Sequence, residues 1–158
     1  ESPRRGENFI SRKTIIGIIK ILKGKQKTLY LGNLYSKRDW GHAQDYVKAM
    51  WKILQHKQPD DFVICTGKQY TIKQFINLVA QELNMKIKWK GKGIKEKAYN
   101  EKNRCIIECK RKYLRLTEVD TLKGNFSKAK KLLKWKPEND IKSLIKDMVN
   151  YELNSILR

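Results

Sequence analysis

The sequence predicts an α/β fold formed by a single region that spans all 158 residues. Segments with apolar residues at helical spacing alternate along the chain with short apolar runs, and this alternation is typical of α/β proteins. The chain has only 3 Pro and 9 Gly and no low-complexity tract, so nothing indicates a linker between two domains. The predicted strands are few and mostly isolated, and the sequence does not indicate that they close a sheet.

The helices are predicted from apolar periodicity and from the residues at their ends. Gly24 ends the first helix, while Thr71 and Gln74 form a capping box at the start of the third. Ser127 is predicted to cap a short helix, and Asp140 to cap the last one. The predicted helical ranges are 9–23, 43–55, 72–83, 127–133 and 141–156. In the second helix, the residues expected to be buried are Tyr46, Val47, Met50, Trp51 and Leu54.

The strands are predicted from short apolar or alternating runs. Residues 28–31 and 104–109 are predicted strands, and residues 85–89 alternate Lys with apolar residues as a half-exposed strand would. The apolar run 61–66 is expected to be a strand buried on both faces, as in a parallel sheet. Loops are predicted at 37–42 and at 90–103, and the second of these, rich in Gly, Lys and Glu, is expected to be mobile.

The net charge of +20 raises the possibility of a nucleic-acid-binding module. However, the basic residues are 28 Lys against 8 Arg and are spread along the whole chain. Nucleic-acid surfaces concentrate Arg and interleave aromatic residues, so we favour compositional bias and keep the basic module as an alternative. A basic surface also suits an anionic ligand such as a sugar nucleotide. Lys interrupts every long apolar stretch, which excludes a membrane-spanning helix.

The cysteines predict neither a disulfide nor a metal site. Cys65, Cys105 and Cys109 are odd in number, and the chain opens with charged residues, so we expect a reducing, cytoplasmic setting. The spacing of Cys105 and Cys109 is not that of a zinc pair, and neither His42 nor His56 lies at ligand spacing to them. We therefore expect all three thiols to be small buried apolar groups.

The residues that could carry chemistry are arginines in loops beside helix ends. No Gly-rich phosphate loop opens a helix, and no Tyr is followed by Lys at the four-residue spacing of a catalytic Tyr-Lys pair. Guanidinium groups bind phosphate bidentately, and the arginines in question are Arg4, Arg5, Arg38 and Arg115. By themselves they predict only an anion site, with surface ion pairing as the other interpretation.

Several short strings are more specific than any single residue. They are Glu1-Ser-Pro-Arg-Arg-Gly-Glu-Asn-Phe, Leu29-Tyr-Leu-Gly-Asn-Leu, Lys37-Arg-Asp-Trp-Gly-His-Ala, Asp45-Tyr-Val-Lys-Ala-Met-Trp, Asp61-Phe-Val-Ile-Cys-Thr-Gly, Thr117-Glu-Val-Asp and Lys134-Trp-Lys-Pro. In this order, and over essentially the whole chain, they resemble GDP-mannose 4,6-dehydratases. The first and third strings are the most distinctive. The Arg-Asp-aromatic and Trp-Lys-Pro features also mark other extended short-chain dehydrogenases that act on nucleotide sugars, so a GDP-sugar epimerase or reductase is the close alternative.

The resemblance implies the C-terminal portion of an extended short-chain dehydrogenase fold, an NAD(P)-binding Rossmann fold, mainly its substrate-binding part. The family is a lyase in which bound NADP takes a hydride from C4 of the mannose in GDP-mannose. Water is then lost across C5 and C6, and the hydride returns at C6 to give GDP-4-keto-6-deoxymannose, the precursor of GDP-fucose. Its members generally form dimers or tetramers.

The resemblance also implies that the Gly-rich cofactor turn, the catalytic Thr and Glu and the Tyr-Lys pair lie upstream of Glu1. We therefore expect the 158 residues to be a piece of a longer chain, inactive and of low stability by themselves. An inert, decayed remnant is a third interpretation.

Residue by residue, the resemblance matches Arg5 to a contact with NADP and Lys13 to the segment that approaches the nucleotide base. The positions that match the lining of the GDP pocket are Asn33, Arg38, Arg115 and Glu118. The two arginines are matched to the diphosphate and the glutamate to a ribose hydroxyl. The chain has Leu116 where the family usually has Pro, and this change frees the backbone at that position and could loosen the pocket wall.

Overall fold

A four-stranded mixed sheet forms the centre of the chain. The computed structural model describes residues 1–114, 117 and 119–156. The strand order is β1 (Leu29–Leu31), β6 (Cys105–Cys109), β5 (Lys97–Tyr99) and β4 (Lys88–Lys90). The pair β1 and β6 is parallel, and the other neighbouring pairs are antiparallel. The expectation that the strands are mostly isolated is therefore wrong, because β6 pairs along one edge with β1, a strand far away in the sequence.

Three helices pack together over the main core: α1 (Ile10–Leu22), α3 (Ile72–Glu82) and α5 (Ile141–Ile156). Gly17 allows α1 to lie close to β1, since a Cβ at this position would stand 2.7 Å from a methyl carbon of Leu29. The fully buried side chains of this core include Ile15, Ile18, Ile19, Leu31, Phe75, Ile76, Ile107, Leu144, Ile145 and Met148. In the part of the chain that the structure describes, no helix is both long and apolar enough to cross a membrane.

The helix ends confirm two of the predicted caps and correct one. Thr71 Oγ1 accepts from Gln74 N at 3.0 Å, and Gln74 Oε1 accepts from Thr71 N at 2.8 Å, which completes the capping box. Asp140 Oδ1 accepts from the main-chain N–H three residues ahead, as predicted. Ser127 is not a cap: it is the first residue of α4 (Ser127–Leu132), and its N–H donates to Asn125 Oδ1 at 2.9 Å.

The helix α2 (Ala43–Leu54) packs into a second, smaller cluster and not into the main core. The buried members of that cluster are Ala49, Ala129, Leu133 and Trp135, and its half-buried members include Tyr46, Ile53, Phe62, Ile64 and Phe126. The prediction that α2 buries its whole apolar face is wrong. Val47, Met50 and Trp51 are 61–62% exposed, and Leu54 is 80% exposed. Their periodicity indicated an apolar face correctly but could not indicate what covers it.

Three predicted strands or loops also differ from the structure. Residues 61–66 form no strand among the described residues, so the predicted parallel strand is wrong. Residues 90–103, predicted to be a loop, contain a 3₁₀ turn, Gly93–Lys95, and β5, whose Ala98 is fully buried. Residues 37–42 contain β2 (Lys37–Arg38), which pairs antiparallel with β3 (Tyr70–Thr71). Pairing with other segments, which local sequence does not show, accounts for β2 and β5. Residues 61–66 belong to neither sheet of the described residues, so their apolar run has no strand to pair with there.

The three cysteines are free, as predicted. Cys65 and Cys109 are 5% exposed, whereas Cys105 is half-buried, so the prediction that all three thiols are buried is wrong for Cys105, which lies at the start of β6. Burial raises the pKa of Cys109 to about 11, so this thiol stays protonated at neutral pH. In the described ranges, no cluster of His, Cys, Asp or Glu side chains has an arrangement that could hold a metal ion.

Candidate functional site

A cleft of about 390 Å³ opens at the carboxyl ends of the parallel strands β1 and β6. Gly32 and Asn33 follow β1, and Tyr113 follows β6 by way of the 3₁₀ turn Arg111–Tyr113. In open α/β sheets, ligands bind at this edge, and the volume lies within the usual range for a small-molecule site. The predicted residues that line this cleft are Arg5, Lys13, Asn33 and Arg38. The predictions for Arg115, Leu116 and Glu118 lie outside the described residues.

The amino end of α1 forms one wall of the cleft. Asn8, Phe9 and Ile10 line it together with Lys13 one turn further along the helix. The first N–H groups of a helix have no acceptor within the helix and carry partial positive charge, so an anion is stabilised there. The basic side chains and the helix end therefore act in the same direction, and both favour a negatively charged ligand.

Arg5, which also lines the cleft, has a buried donor that lacks a hydrogen-bond acceptor among the described residues. Its guanidinium lies over the ring of Phe9, 3.5 Å from the ring centroid, and its Nε is 3.5 Å from Glu1 Oε2. That separation is an ion pair without hydrogen-bond geometry, and among the described residues the buried Nε has no hydrogen-bond partner. A buried donor without an acceptor costs free energy, and a ligand oxygen at the cleft would relieve this cost.

Arg12 positions Arg5, although nothing in the sequence distinguished it from other surface basic residues. Its Nη1 donates to the carbonyl oxygen of Arg5 at 2.7 Å, and its Nε donates to Glu152 Oε1 at 2.6 Å. Both partners of the ion pair are largely buried, with side chains 16% and 6% exposed. Arg12 therefore joins the loop that carries Arg5 to α5. Glu152 lies 140 residues away in the chain, so no local signal could have revealed the pair.

Tyr113 lines the cleft itself, and sequence reasoning missed it. Lys13 Nζ lies 4.5 Å from the centroid of its ring, within the range of a cation–π contact. Gly32 makes this arrangement possible, because a Cβ at position 32 would stand 2.2 Å from the carbonyl oxygen of Tyr113. Only glycine lets the chain after β1 pass so close to the backbone at Tyr113. The glycine after the first strand was the available signal.

Arg38 and Asn33 make internal hydrogen bonds at the edge of the cleft. Arg38 Nη1 donates to the carbonyl oxygens of Val119 at 2.6 Å and of Lys37 at 2.8 Å. Asn33 Oδ1 accepts from the N–H of Tyr35 at 2.9 Å, which fixes the turn after β1. Arg38 therefore holds the 119–121 segment beside β2 in addition to lining the cleft.

The residue after Arg38 serves the architecture of the molecule. One carboxylate oxygen of Asp39 accepts from the N–H of Thr66 at 2.9 Å and from its hydroxyl at 2.5 Å. The other oxygen accepts from Gly67 N at 2.9 Å and from Gly124 N at 3.3 Å. Asp39 therefore gathers two loops around one negative charge beside the cleft.

The remainder of the Arg-Asp-Trp-Gly-His string is also structural. Trp40 is 6% exposed, and its ring lies against Phe75 with the centroids 4.7 Å apart. His42 Nδ1 accepts from Gln44 N at 3.2 Å and so caps α2, while its Nε2 lies 3.1 Å from Asp147 Oδ2. Arg38 and Trp40 are thus the members of this string that line the cleft.

A buried carboxylate, Glu96, stabilises the segment that continues from Asn33. Tyr35 Oη donates to one of its oxygens and Lys73 Nζ to the other, each at 2.5 Å. Burial by itself would raise the pKa of Glu96, but the hydrogen bonds from Lys73 and Tyr35 outweigh burial and hold that pKa below its usual range. The bond with Glu96 also raises the pKa of Tyr35. The carboxylate is therefore ionised at neutral pH and keeps both donors in place.

Comparison with known proteins shows which family and which relatives the chain resembles. Residues 1–148 match the model of the GDP-mannose 4,6 dehydratase family. The chain is 47% identical to GDP-mannose 4,6 dehydratase 2 of Caenorhabditis elegans over 149 residues, which are 94% of this chain and 39% of that protein. It is 45% identical to the Dictyostelium discoideum GDP-mannose 4,6 dehydratase over 157 residues, which are 99% of this chain and 44% of that one. The chain thus spans about two-fifths of the length of these relatives.

Solved structures support the fold at lower identity. RMD from Pseudomonas aeruginosa, complexed with NADPH, superposes with a TM-score of 0.77 at 19% identity, over 98% of this chain and 46% of that one. The dTDP-glucose 4,6-dehydratase from Bacillus anthracis, in complex with NAD, superposes with a TM-score of 0.72 at 17% identity, over 98% and 42%. These likenesses confirm the predicted fold, that of part of an extended short-chain dehydrogenase.

Proposed function

Since the chain belongs to the GDP-mannose 4,6-dehydratase family, we propose that its cleft binds the GDP part of GDP-mannose. On this proposal, residues 1–158 form the substrate-binding region of a lyase that converts GDP-mannose to GDP-4-keto-6-deoxymannose on the way to GDP-fucose. The observation that carries the proposal is the meeting of Arg5, Lys13, Asn33 and Arg38 around one cleft.

The charges and shape of the cleft suit a nucleoside diphosphate. The amino end of α1, together with Lys13 and Arg38 in the cleft lining, supplies positive potential for the diphosphate, and a guanidinium group binds phosphate oxygens with two parallel N–H bonds. The ring of Tyr113 adds a flat apolar face beside Lys13, on which a planar base could stack. The role of this part of the molecule is therefore to bind and orient the sugar nucleotide.

The cofactor we propose is NADP, with Arg5 as its contact in this chain. The residue fits, because the buried Nε of Arg5 lacks an acceptor among the described residues and a phosphate oxygen could accept from it. When bound, NADP supplies the hydride acceptor and donor of the reaction. The chain itself has no Tyr-Lys pair at the catalytic spacing, so we propose that the 158 residues alone bind and orient but do not catalyse.

Selective binding of the nucleotide tests this proposal. We expect titration calorimetry at fixed salt to show tighter binding of GDP-mannose than of UDP-glucose. Lys13→Ala should weaken the binding of GDP-mannose about 10- to 100-fold, because it removes one charge-assisted contact of roughly 1.5–3 kcal/mol from the cleft. Lys25→Ala, which changes an exposed basic residue away from the cleft, is the matched control and should have no effect. Equal affinity for the two sugar nucleotides would count against the proposal.

The net charge of +20 motivates the nucleic-acid-binding alternative, which a salt series separates from sugar-nucleotide binding. Affinity for duplex DNA should fall by about one log unit per log unit of salt for each phosphate contacted. Nanomolar DNA binding with such a slope, and no preference among sugar nucleotides, would favour the alternative.

Assembly into dimers or tetramers is part of our proposal for the enzyme and can be measured by analytical ultracentrifugation. We also propose a cytoplasmic location, which the three free cysteines support.

A further inference from the structure

One face of the four-stranded sheet carries the main core, and the other face is open to solvent. Successive side chains of a strand alternate between the two faces of its sheet. Leu29, Ala98 and Ile107 are buried in the core, so their neighbours in the strands lie on the opposite side, called here the outer face. None of the outer-face residues is buried, and they are Tyr30, Lys88, Lys90, Lys97, Tyr99, Cys105 and Glu108, with Lys110 directly after β6.

The outer face is positively charged. It carries four lysines and one carboxylate, Glu108, so its net charge is four minus one, or +3. Lys97 and Lys110 share this carboxylate, with their Nζ atoms 3.0 and 3.3 Å from Glu108 Oε1. Neither Lys88 nor Lys90 has a carboxylate partner among the residues that the structure describes. Half of the ammonium groups therefore have no counter-charge from the protein, and an anionic ligand would supply it.

Two tyrosine rings lie among the lysines of the outer face. Tyr30 is 40% exposed, and Lys110 Nζ lies 5.3 Å from the centroid of its ring. Lys90 Nζ lies 5.0 Å from the centroid of the ring of Tyr99. Both separations are within the range of a cation–π contact. The outer face therefore contains two units that each combine a flat ring with an ammonium group, and a base with its phosphate needs these two features.

A row of side chains joins these units across all four strands. Lys90 lies opposite Lys97, Lys97 opposite Glu108, and Glu108 opposite Tyr30. Neighbouring strands are about 4.8 Å apart, so the row is about 14 Å long. The major groove of duplex DNA is about 12 Å wide and admits a helix or a two-stranded ribbon, so this face is too wide to enter it. A single strand can lie across the face with its bases turned toward the rings.

We propose that the outer face binds single-stranded nucleic acid, in addition to the sugar nucleotide in the cleft. Phosphate groups contact the four lysines, and bases stack on Tyr30 and Tyr99. A stacked base contributes about two to three times as much as an exposed cation–π contact, so bases displace the ammonium groups from the rings and leave them for the phosphates. Contacts to phosphate carry no sequence information, so the binding is independent of base sequence. The inference does not rest on the proposed function.

Other occupants fit the outer face less well. The carboxylates of an acidic peptide would neutralise the ammonium groups, but they would leave the two rings unused. A second copy of this chain carries a net charge of +20, so two copies would repel one another. The combination of rings and ammonium groups therefore favours a ligand that has both planar bases and phosphates.

Fluorescence anisotropy with a labelled uridine oligomer of about ten nucleotides tests the charges of the outer face. A plot of log affinity against log salt should have a slope of about −2 to −3, since each phosphate contact of a single strand contributes about −0.7. Lys88→Gln combined with Lys90→Gln should make this slope shallower by about 1.4. The control is Lys142→Gln with Lys146→Gln, which removes the same charge from α5, a helix that packs on α1 and α3. Equal slopes for the two double variants would overturn the inference.

A second pair of variants tests the rings. Tyr99→Leu should weaken binding of the uridine oligomer about 5- to 20-fold and leave the salt slope unchanged, because it removes one stacking contact and no charge. Tyr151→Leu is the control, since Tyr151 is 48% exposed on α5, and it should have no effect. Urea midpoints show whether each variant is folded. Equally tight binding of a glutamate oligomer of the same charge would overturn the inference, because the face would then recognise charge alone. Tighter binding of duplex DNA than of the uridine oligomer would also overturn it.

A chimera shows whether the outer face stays open in a longer protein. In the Dictyostelium relative, the stretch that matches this chain is replaced by this chain. We expect the chimera to bind the oligomer with the same slope, and Lys88→Gln with Lys90→Gln to make that slope shallower to the same extent. No binding by the chimera would overturn the inference, because other structure would then cover the face. None of the substituted residues lines the cleft, so selectivity for GDP-mannose should be unchanged in every variant, and the two proposals can fail separately.

Discussion

Replacing Asp39 with Asn tests how two loops are held beside the cleft. The carboxylate of Asp39 accepts from Thr66 N and Oγ1 through one oxygen, and from Gly67 N and Gly124 N through the other. An amide keeps one oxygen and places an NH₂ group against the remaining donors. A hydrogen bond to a charged group contributes about 1.5–3 kcal/mol. Two are lost, one of them long, and Thr66 and Gly67 are only half-buried, so we expect a loss of about 2–4 kcal/mol.

Urea unfolding followed by tryptophan fluorescence measures this loss. With a urea dependence of about 2 kcal/mol per molar, typical of a small protein, the midpoint should fall by about 1–2 M. Asp61→Asn is the control, because Asp61 is exposed and a substitution there should change the free energy of unfolding by less than about 0.5 kcal/mol. Equal midpoints for the two variants would refute the conclusion that Asp39 holds the loops.

Further substitutions test the core, the buried carboxylate and the cleft. Phe75→Ala should cost about 3–5 kcal/mol in thermal unfolding, because Phe75 is fully buried against Trp40, whereas Leu22→Ala at a half-exposed helix end should cost less than about 1 kcal/mol. Because the pKa of Glu96 is below its ordinary value of 4.5, its contribution to stability is complete above that pH and is lost as the pH falls through the lowered pKa. Urea midpoints at pH 7 and pH 3.5 should therefore differ less in Glu96→Gln than in the unaltered chain, and an equal difference would contradict the assignment. Gly32→Ala should abolish GDP-mannose binding in calorimetry, since its Cβ would displace the backbone at Tyr113; Gly24→Ala, at φ +72° with open space around it, should lose stability but keep binding.

Features set by neighbours in the sequence were the ones that sequence reasoning predicted well. The capping box of Thr71 and Gln74 formed as expected, because its donors and acceptors lie three residues apart. The predicted ends of α2 agree with the structure to within one residue, but the predicted burial of its apolar face is wrong. Periodicity shows that a helix has an apolar face, and it does not show whether another element packs against that face. The sequence predicts a loop where the structure has β5, because the pairing of this strand with β4 and β6 depends on an alignment that local sequence does not encode.

The residues of the candidate site also form two groups, those that the sequence predicts and those that only the structure reveals. The resemblance of short motifs to a family predicts four of the site residues, and the structure brings all of them to one cleft: Arg5, Lys13, Asn33 and Arg38. The sequence does not single out Arg12, because it is one of 36 basic residues, or Tyr113, because no residue near it in the chain indicates a cleft. Their importance depends on Glu152 and Gly32, which meet them only in the folded chain.

The sequence by itself determined the family, the α/β class and the positions of the helices. Each of these depends on residue identity or on spacing within a few positions. Only the tertiary structure decided that β1 and β6 pair in parallel, that their carboxyl ends open a cleft, and that Arg12 joins α1 to α5. It also decided that one side of α2 stays exposed. The physical reason is that pairing, burial and charge compensation are set by which distant segments meet, and that outcome depends on the free energy of the whole chain.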